Sequence, residues 1–146
     1  MEELKQLAKE KKKYQEKAKN ILKGCLQDFM KAHPNVKAIS WVQYTPYFND
    51  GEECTFSMHD PTFCTKEITL EEMEDTYTYD EPWFDVGGSY DRFGKNSGLS
   101  IKDWEDCSEL KSTLASFEEE MKFLFGDHVR VIVTPEGVHT YEYEHD

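Results

Sequence analysis

The hydrophobic positions in the first part of the chain follow a helical period. Between residues 2 and 32 they recur at steps of three, four and seven, which places them on one face of a helix. The residue before a proline disfavours helical geometry, so the helix should end near His33 and Pro34. Such a helix would be about 45 Å long, and its first half could project from a compact body. Its apolar face comprises Leu4, Leu7, Tyr14, Ala18, Ile21, Leu22, Cys25, Leu26, Phe29 and Met30.

A second pattern, in residues 41–56, predicts a β-hairpin. The stretch reads WVQYTPYFNDGEECTF, in which two apolar, aromatic runs flank Asn49-Asp50-Gly51, a strong hairpin-turn signal. The strands are expected at residues 36–48 and 54–58. Because Pro46 cannot donate a hydrogen bond to a sheet, either the first strand lies at a sheet edge or its regular pairing stops near Thr45.

The last third of the chain repeats the two patterns in the order helix, then hairpin. Apolar residues from about 101 or 108 to 125 share a helical face, and Gly126 is a typical C-terminal cap. Alternating valines at 129, 131 and 133 precede the turn Pro135-Glu136-Gly137 and a returning strand. The predicted fold is α+β, with a long N-terminal helix and a second, C-terminal helix packed on a largely antiparallel sheet built from β-hairpins. We expect one domain over residues 1–146, with a body at residues 36–146.

Charge narrows the classes of partner. The formal net charge is −13, so direct binding of nucleic acid or of an anionic membrane is not expected. Residues 1–32 contain nine lysines and five acids, a charge of +4, which leaves −17 on the rest. No apolar run is long enough to span a membrane and the first residues lack the apolar core of a signal peptide, so a cytoplasmic protein is predicted.

Candidate catalytic and metal-binding chemistry is weak. The spacing Cys54-x4-His59-x4-Cys64 brings three possible metal ligands together, but structural zinc sites pair their ligands two to four residues apart and need a fourth. The fourth could come from His128, His139 or His145. We therefore predict no metal, no cofactor and no catalytic residue, and interpret the four cysteines as buried thiols of a reducing compartment.

The glycine-rich stretch 87–98 resembles a phosphate-binding loop only loosely. Gly94 and Lys95 are followed by Asn96, where such a loop has serine or threonine. This stretch is a locally basic part of the chain, whose middle is otherwise acidic.

Binding is better supported, because aromatic side chains are concentrated in or beside turns and polar segments. Tyrosine and tryptophan combine a rigid apolar body with a polar tip, which suits interfaces and ring stacking. The alternative is that most of them cover the sheet. The predicted ligand- or partner-binding residues are Tyr44, Tyr47, Phe48, Asp50, Tyr77, Tyr79, Trp83, Tyr90, Arg92 and Lys95.

The stretch at residues 41–56 resembles one found in small, acidic, uncharacterised proteins of tailed bacteriophages and bacteria. The resemblance implies a phage accessory protein acting in the host cytoplasm, and no functional residue is carried over from it. We therefore expect a non-enzymatic protein that inhibits a host protein with a basic surface and self-associates through its N-terminal helix. Two alternatives remain: sequestration of a small nucleotide-like ligand in an aromatic pocket, and a small hydrolase with an unrecognised site.

Overall fold

The computed structural model describes residues 1–48 and 51–145, and its first element is the predicted long helix. This helix, α1, spans Glu2–Ala32 and ends at His33, whose backbone N–H donates to the Phe29 carbonyl. Leu22, Leu26 and Met30 are its buried residues. The buried side chains of α1 therefore all lie in its second half, where the helix contacts the core.

Five antiparallel strands form one sheet around its first strand. They are β1 (Ala38–Tyr44), β2 (Ser57–Met58), β3 (Thr62–Cys64), β4 (Val129–Thr134) and β5 (Gly137–Glu142). β2 and β3 both pair with one edge of β1, β4 pairs with the other edge, and β5 pairs with β4. The α+β prediction, with helices on a largely antiparallel sheet, is confirmed.

The first hairpin is shorter than predicted. Its strands pair at Gln43 with Met58 and at Tyr44 with Ser57, and no other register pair joins them. Pairing stops two residues before Pro46, which confirms one of the two alternatives, whereas β1 lies inside the sheet and not at its edge. Residues 49 and 50 of the predicted turn, including Asp50, lie outside the described residues.

The remaining helices differ from the prediction at one point. The second helix is two helices, α3 (Ile101–Ala115) and α4 (Glu118–Phe125), and not one continuous helix. Phe117 has φ −118° and ψ 34°, outside the helical region, and its ring packs against the core, so burying this ring accompanies the break. Gly126 caps α4 as predicted, with its N–H donating to the Lys122 carbonyl, but its φ of 94° and ψ of −179° differ from the left-handed helical conformation of the usual glycine cap.

Two shorter helical elements lie between β3 and α3. Helix α2, Leu70–Asp75, begins with a capping box in which Thr69 and Glu72 exchange hydrogen bonds. Residues Tyr90–Gly94 form a π-helical turn. None of the described helices is both long and apolar enough to cross a membrane.

Both faces of the sheet are covered. Helices α1, α3 and α4 pack on the face that carries Ile39, Trp41 and Val131, and the segment between β3 and α3 covers the other with Met73 and Trp83. Cys64 and Cys107 are buried as expected, but Cys25 is exposed and Cys54 half-buried, so the prediction of four buried thiols is wrong for these two. Cys25 lies on the face of α1 that the body leaves open.

Candidate functional site

The predicted binding residues lie in three separate places. Tyr44, Tyr47, Tyr77 and Tyr79 lie in one network of ring contacts and hydrogen bonds at one end of the sheet. Phe48, which is 76% exposed, follows Tyr47 in the chain.

Tyr90, Arg92 and Lys95 belong to the π-helical turn instead, where their groups are engaged locally. The Tyr90 hydroxyl donates to the Leu99 carbonyl at 2.9 Å, and the Arg92 guanidinium lies over the Phe93 ring at 5.1 Å. Lys95 pairs with Asp91 at 3.7 Å.

Trp83 is only 3% exposed and belongs to the core of the second sheet face. The structure therefore divides the predicted surface and brings four of its tyrosines together.

Three histidines, which the sequence suggested only as possible zinc ligands, complete this tyrosine group. We call the group the aromatic–histidine patch. Its members are Tyr44, Tyr47, His59, Tyr77, Tyr79, His128, Tyr143 and His145.

Ring stacking holds the centre of the patch together. The Tyr44 ring stacks on His145 at 3.9 Å and on His59 at 4.6 Å between centroids. Tyr47 stacks on His145 at 4.4 Å and on His128 at 4.8 Å. Nδ1 of His128 and Nε2 of His145 are 2.7 Å apart, so one imidazole donates a hydrogen bond to the other. These contacts fix the rings before any partner arrives.

The backbone around His128 is arranged to present its ring. His128 has φ 56°, a left-handed conformation that few residues other than glycine adopt. The Asp127 carboxylate accepts hydrogen bonds from the Thr45 N–H at 2.8 Å, the Thr45 hydroxyl at 2.7 Å and the His128 N–H at 2.9 Å. Partial burial raises the pKa of Asp127, but the Thr45 and His128 interactions outweigh it and leave the pKa below its usual value. Strained backbone held by such bonds is typical of functional sites.

Burial favours the uncharged form of three groups of the patch. Burial lowers the pKa of His59 despite the opposing effect of Asp60 and Glu118. Burial, and then a hydrogen bond with Tyr77, raise the pKa of Tyr143 to about 12. Burial also raises the pKa of Tyr79. Three acids border the rings: Asp60 and Glu118 act on His59, and Asp127 lies beside His128.

A buried arginine lies close to the patch. Arg130 is 7% exposed, and its Nε donates to Ser40 Oγ while its Nη1 donates to the Glu74 carbonyl. Its guanidinium lies 5.6 Å from the Trp83 ring centroid. Nη2 is buried and has no hydrogen-bond partner among the described residues. Desolvation of this cation lowers its pKa, and the nearby tyrosines and Glu74 act in the opposite direction.

The possible metal ligands that the described residues bring together lie away from the patch. The ligand atoms of His33, Asp103 and Asp106 lie within 4.8 Å of one another, whereas Cys54, His59 and Cys64 form no such group. Lys102 Nζ already lies 3.0 Å from the Asp106 carboxylate, and His33 Nε2 lies 2.9 Å from it.

The two buried thiols are shielded from reaction. Burial raises the pKa of Cys64, and burial followed by Asp103 and Asp106 raises that of Cys107 to about 12. Both thiols therefore stay protonated at neutral pH.

Two clefts lie apart from the centre of the patch. One of 480 Å³ lies between the loop before α2 and the β4–β5 turn, with Lys37, Ile68 and His139 among its walls. The other, of 270 Å³, includes Lys66, Trp83 and Phe93. The stacked rings of Tyr44 and Tyr47 line neither cleft.

No family model, no curated protein and no solved structure matches this chain.

Strand register was the signal that could have found the missing members of the patch. Tyr141, Tyr143 and His145 alternate along the last strand and its extension, so they share one face. Gln43 pairs with Val129, which places Tyr44 beside His128. The sequence does not fix this register until β1 and β4 are known to be neighbours.

Proposed function

We propose that this chain is a non-enzymatic binding protein that occupies a basic surface of another protein through the aromatic–histidine patch. The observation that carries the proposal is a set of rings that contact one another, by stacking or edge-on, and still face solvent. Tyr47 is 64% exposed and Tyr77 is 49% exposed. Large exposed aromatic groups that are rigid before binding lose little entropy on binding, and such residues dominate protein interfaces.

Electrostatics favours a basic partner. The residues beyond α1 carry −17, and acids border the patch at Asp60, Glu118 and Asp127. An acidic surface speeds the encounter with a basic one and repels phosphate-rich competitors. Aromatic contacts would then supply the affinity that charge alone does not.

The nature of the partner follows from the resemblance of residues 41–56 to small acidic phage proteins. On that basis the target is a bacterial host protein in the host cytoplasm. The acids that border the aromatic–histidine patch would take the place of that protein's own anionic ligand. Inhibition of that host protein is the biological outcome that we infer.

A nucleotide-like ligand is the second candidate, and the 270 Å³ cleft favours it in one respect. This cleft combines Lys66 with the rings of Trp83 and Phe93. It is smaller than the range of roughly 300–1,000 Å³ that is usual for ligand sites. The patch rings already stack on one another, so a ligand ring has no slot between them. The protein partner is therefore better supported.

Self-association through α1 is a further part of the proposal. The side chains of residues 1–14 are all exposed, although Leu4 and Leu7 are apolar. A dimer would present two patches to its target, which raises the overall affinity when both can bind together.

Affinity capture from a bacterial lysate tests the patch. We expect the immobilised wild-type chain to retain a basic protein that rising NaCl releases, and a Tyr47→Ser, Phe48→Ser double variant to lose it. The matched control is Phe93→Ser, which removes another exposed ring, 54% exposed, on the π-helical turn. Circular dichroism would verify that all three are folded.

The proposal fails if the double variant and the control retain the same proteins, or if the wild type retains none. A rise in melting temperature of the wild type with ATP or cyclic AMP would instead support the ligand alternative, because a ligand that binds only the native state stabilises it.

A further inference from the structure

Helix α1 carries a second apolar stripe that the body leaves largely exposed, although the Tyr14 hydroxyl donates to Glu120 Oε1 of α4 at 3.1 Å. Leu4, Leu7, Tyr14 and Ile21 are 64, 60, 53 and 52% exposed, whereas the core-facing residues of the helix are buried. Together with Lys11 and Ala18, these residues recur at alternating steps of three and four. This spacing is that of the a and d positions of a coiled coil. We call it the α1 seam.

The α1 seam leads into an apolar groove. The groove lies between α1 and α3 and has a volume of 280 Å³. Tyr14, Ala18 and Ile21 line one side, and Leu110 and Phe117 line the other. Leu7 and Leu4, about two and three turns before Tyr14, lie on the same stripe but beyond the groove. The chain thus has both a groove and an exposed apolar segment that could fill it.

We propose that a second copy of this chain occupies the groove, with the two α1 helices antiparallel, so that Leu4 and Leu7 of each copy enter the groove of the other. This inference rests on the self-association proposed above and assigns its geometry. A two-fold arrangement satisfies both features at once, because each copy gives a segment and receives one. It also removes Leu4 and Leu7, which are 64 and 60% exposed, from water.

Charge selects the antiparallel orientation. A parallel pair would bring Lys11 against Lys11 in the α1 seam and would place two bodies of −17 side by side. An antiparallel pair layers Leu4 on Ile21, Leu7 on Ala18 and Lys11 on Tyr14. It also brings Glu10 of each copy towards Lys17 of the other at the flanking g positions, where opposite charges set orientation in coiled coils.

The same orientation matches whole segments. The lysine-rich first half of each α1 meets the acidic body of the other copy, whose α4 begins with Glu118, Glu119 and Glu120. Residues 1–32 carry +4 and the rest of the chain −17, so each α1 is attracted to the body of the other copy, although the two positively charged helices repel each other.

Disulfide trapping tests the orientation. In a Cys25→Ser, Cys54→Ser background, the Leu4→Cys variant is mixed with a ¹⁵N-labelled Ile21→Cys variant and oxidised mildly. Mass spectrometry of the intact proteins then distinguishes the mixed disulfide from the two homodimers by the label. The proposal predicts the mixed disulfide as the main product. Predominant Leu4→Cys or Ile21→Cys homodimers would mean a parallel pair and would overturn it. Two Cys25 thiols would lie about 40 Å apart along an antiparallel pair, so the wild type should not cross-link through them.

Sedimentation velocity over about 5–200 µM tests the surface itself, because a dimer's population depends on concentration. We expect the wild type to form a dimer, and Leu4→Glu to weaken it by roughly tenfold or more, because the new charge would be buried. The control is Ile101→Glu, which changes a residue of similar exposure, 55%, at the start of α3. A wild-type monomer throughout, or a dimer that Leu4→Glu leaves unchanged, would overturn the inference.

These outcomes are separable from the fate of the proposed function. A monomer that still retains the basic protein refutes the dimer and leaves the patch intact. A cross-linked dimer that retains no basic protein would support the dimer and refute the proposed role of the patch.

Discussion

At the scale of single residues, Gln43 joins the sheet to the helical layer. It is fully buried, and its Oε1 accepts a hydrogen bond from Trp41 Nε1 at 2.9 Å. Its Nε2 donates to the carbonyls of Met121 at 2.9 Å and Gly126 at 2.7 Å. These hydrogen bonds fix the end of α4 relative to β1. They therefore also fix the positions of Asp127 and His128, which follow Gly126 in the chain.

Replacing Gln43 by leucine should destabilise the fold despite the similar volume. The substitution leaves the Trp41 indole N–H buried without its partner, and an unsatisfied buried polar group costs about 1–3 kcal/mol. We expect the free energy of unfolding in urea to fall by roughly 2–3 kcal/mol. Gln27→Leu, on the exposed side of α1, should change it by less than about 0.5 kcal/mol. Equal stability of the two variants would contradict this account.

At the scale of elements, helix ends are set by backbone conformation. Gly126 ends α4 with φ 94° and ψ −179°, a region that is almost restricted to glycine. A Cβ at this position would meet nothing within 4 Å, so an alanine here would be strained but not crowded. Gly24 has equally open surroundings but lies inside α1.

The same substitution should therefore have opposite effects at these two glycines. Gly126→Ala should lower the free energy of unfolding by about 1–3 kcal/mol through backbone strain alone. Gly24→Ala should raise it by about 0.5–1 kcal/mol, because alanine favours a helix interior. Chemical denaturation of both variants measures the difference. A shift of the same sign in both would show that conformation does not determine the effect at Gly126.

The elements show how far sequence patterns reach in this chain. Helix α1, the β4–β5 hairpin and the Gly126 cap follow from local periodicity and turn chemistry, which the sequence contains in full. The break at Phe117 does not, because residues 101–125 keep apolar side chains at helical spacing on both sides of it. At that break the partly buried Phe117 ring packs against the core, a non-local contact that helical spacing does not contain.

At the scale of the molecule, the candidate site depended on tertiary register. The aromatic density was visible in the sequence, but Trp83 could not be distinguished from Tyr47, since both follow or precede turn residues. The histidines join the tyrosines only because β1 and β4 are neighbours in the sheet. Local patterns pointed to exposed aromatic residues, whereas the pairing of β1 with β4 determines which side chains lie together.

The uneven charge should also govern stability as a whole. A body of −17 repels itself, and salt screens this repulsion over a Debye length of roughly 10 Å at 0.1 M. Raising NaCl from about 20 to 200 mM should therefore raise the melting temperature by roughly 2–4 °C, which corresponds to about 1 kcal/mol for a chain of this size.

Two controls identify self-repulsion as the cause. The rise should disappear near the isoelectric pH of about 4.8, where the net charge vanishes. It should persist in the Leu4→Glu variant, in which screening between paired copies no longer contributes. A rise of the same size at both pH values would instead point to a salt effect on the hydrophobic interaction, because that effect does not depend on net charge.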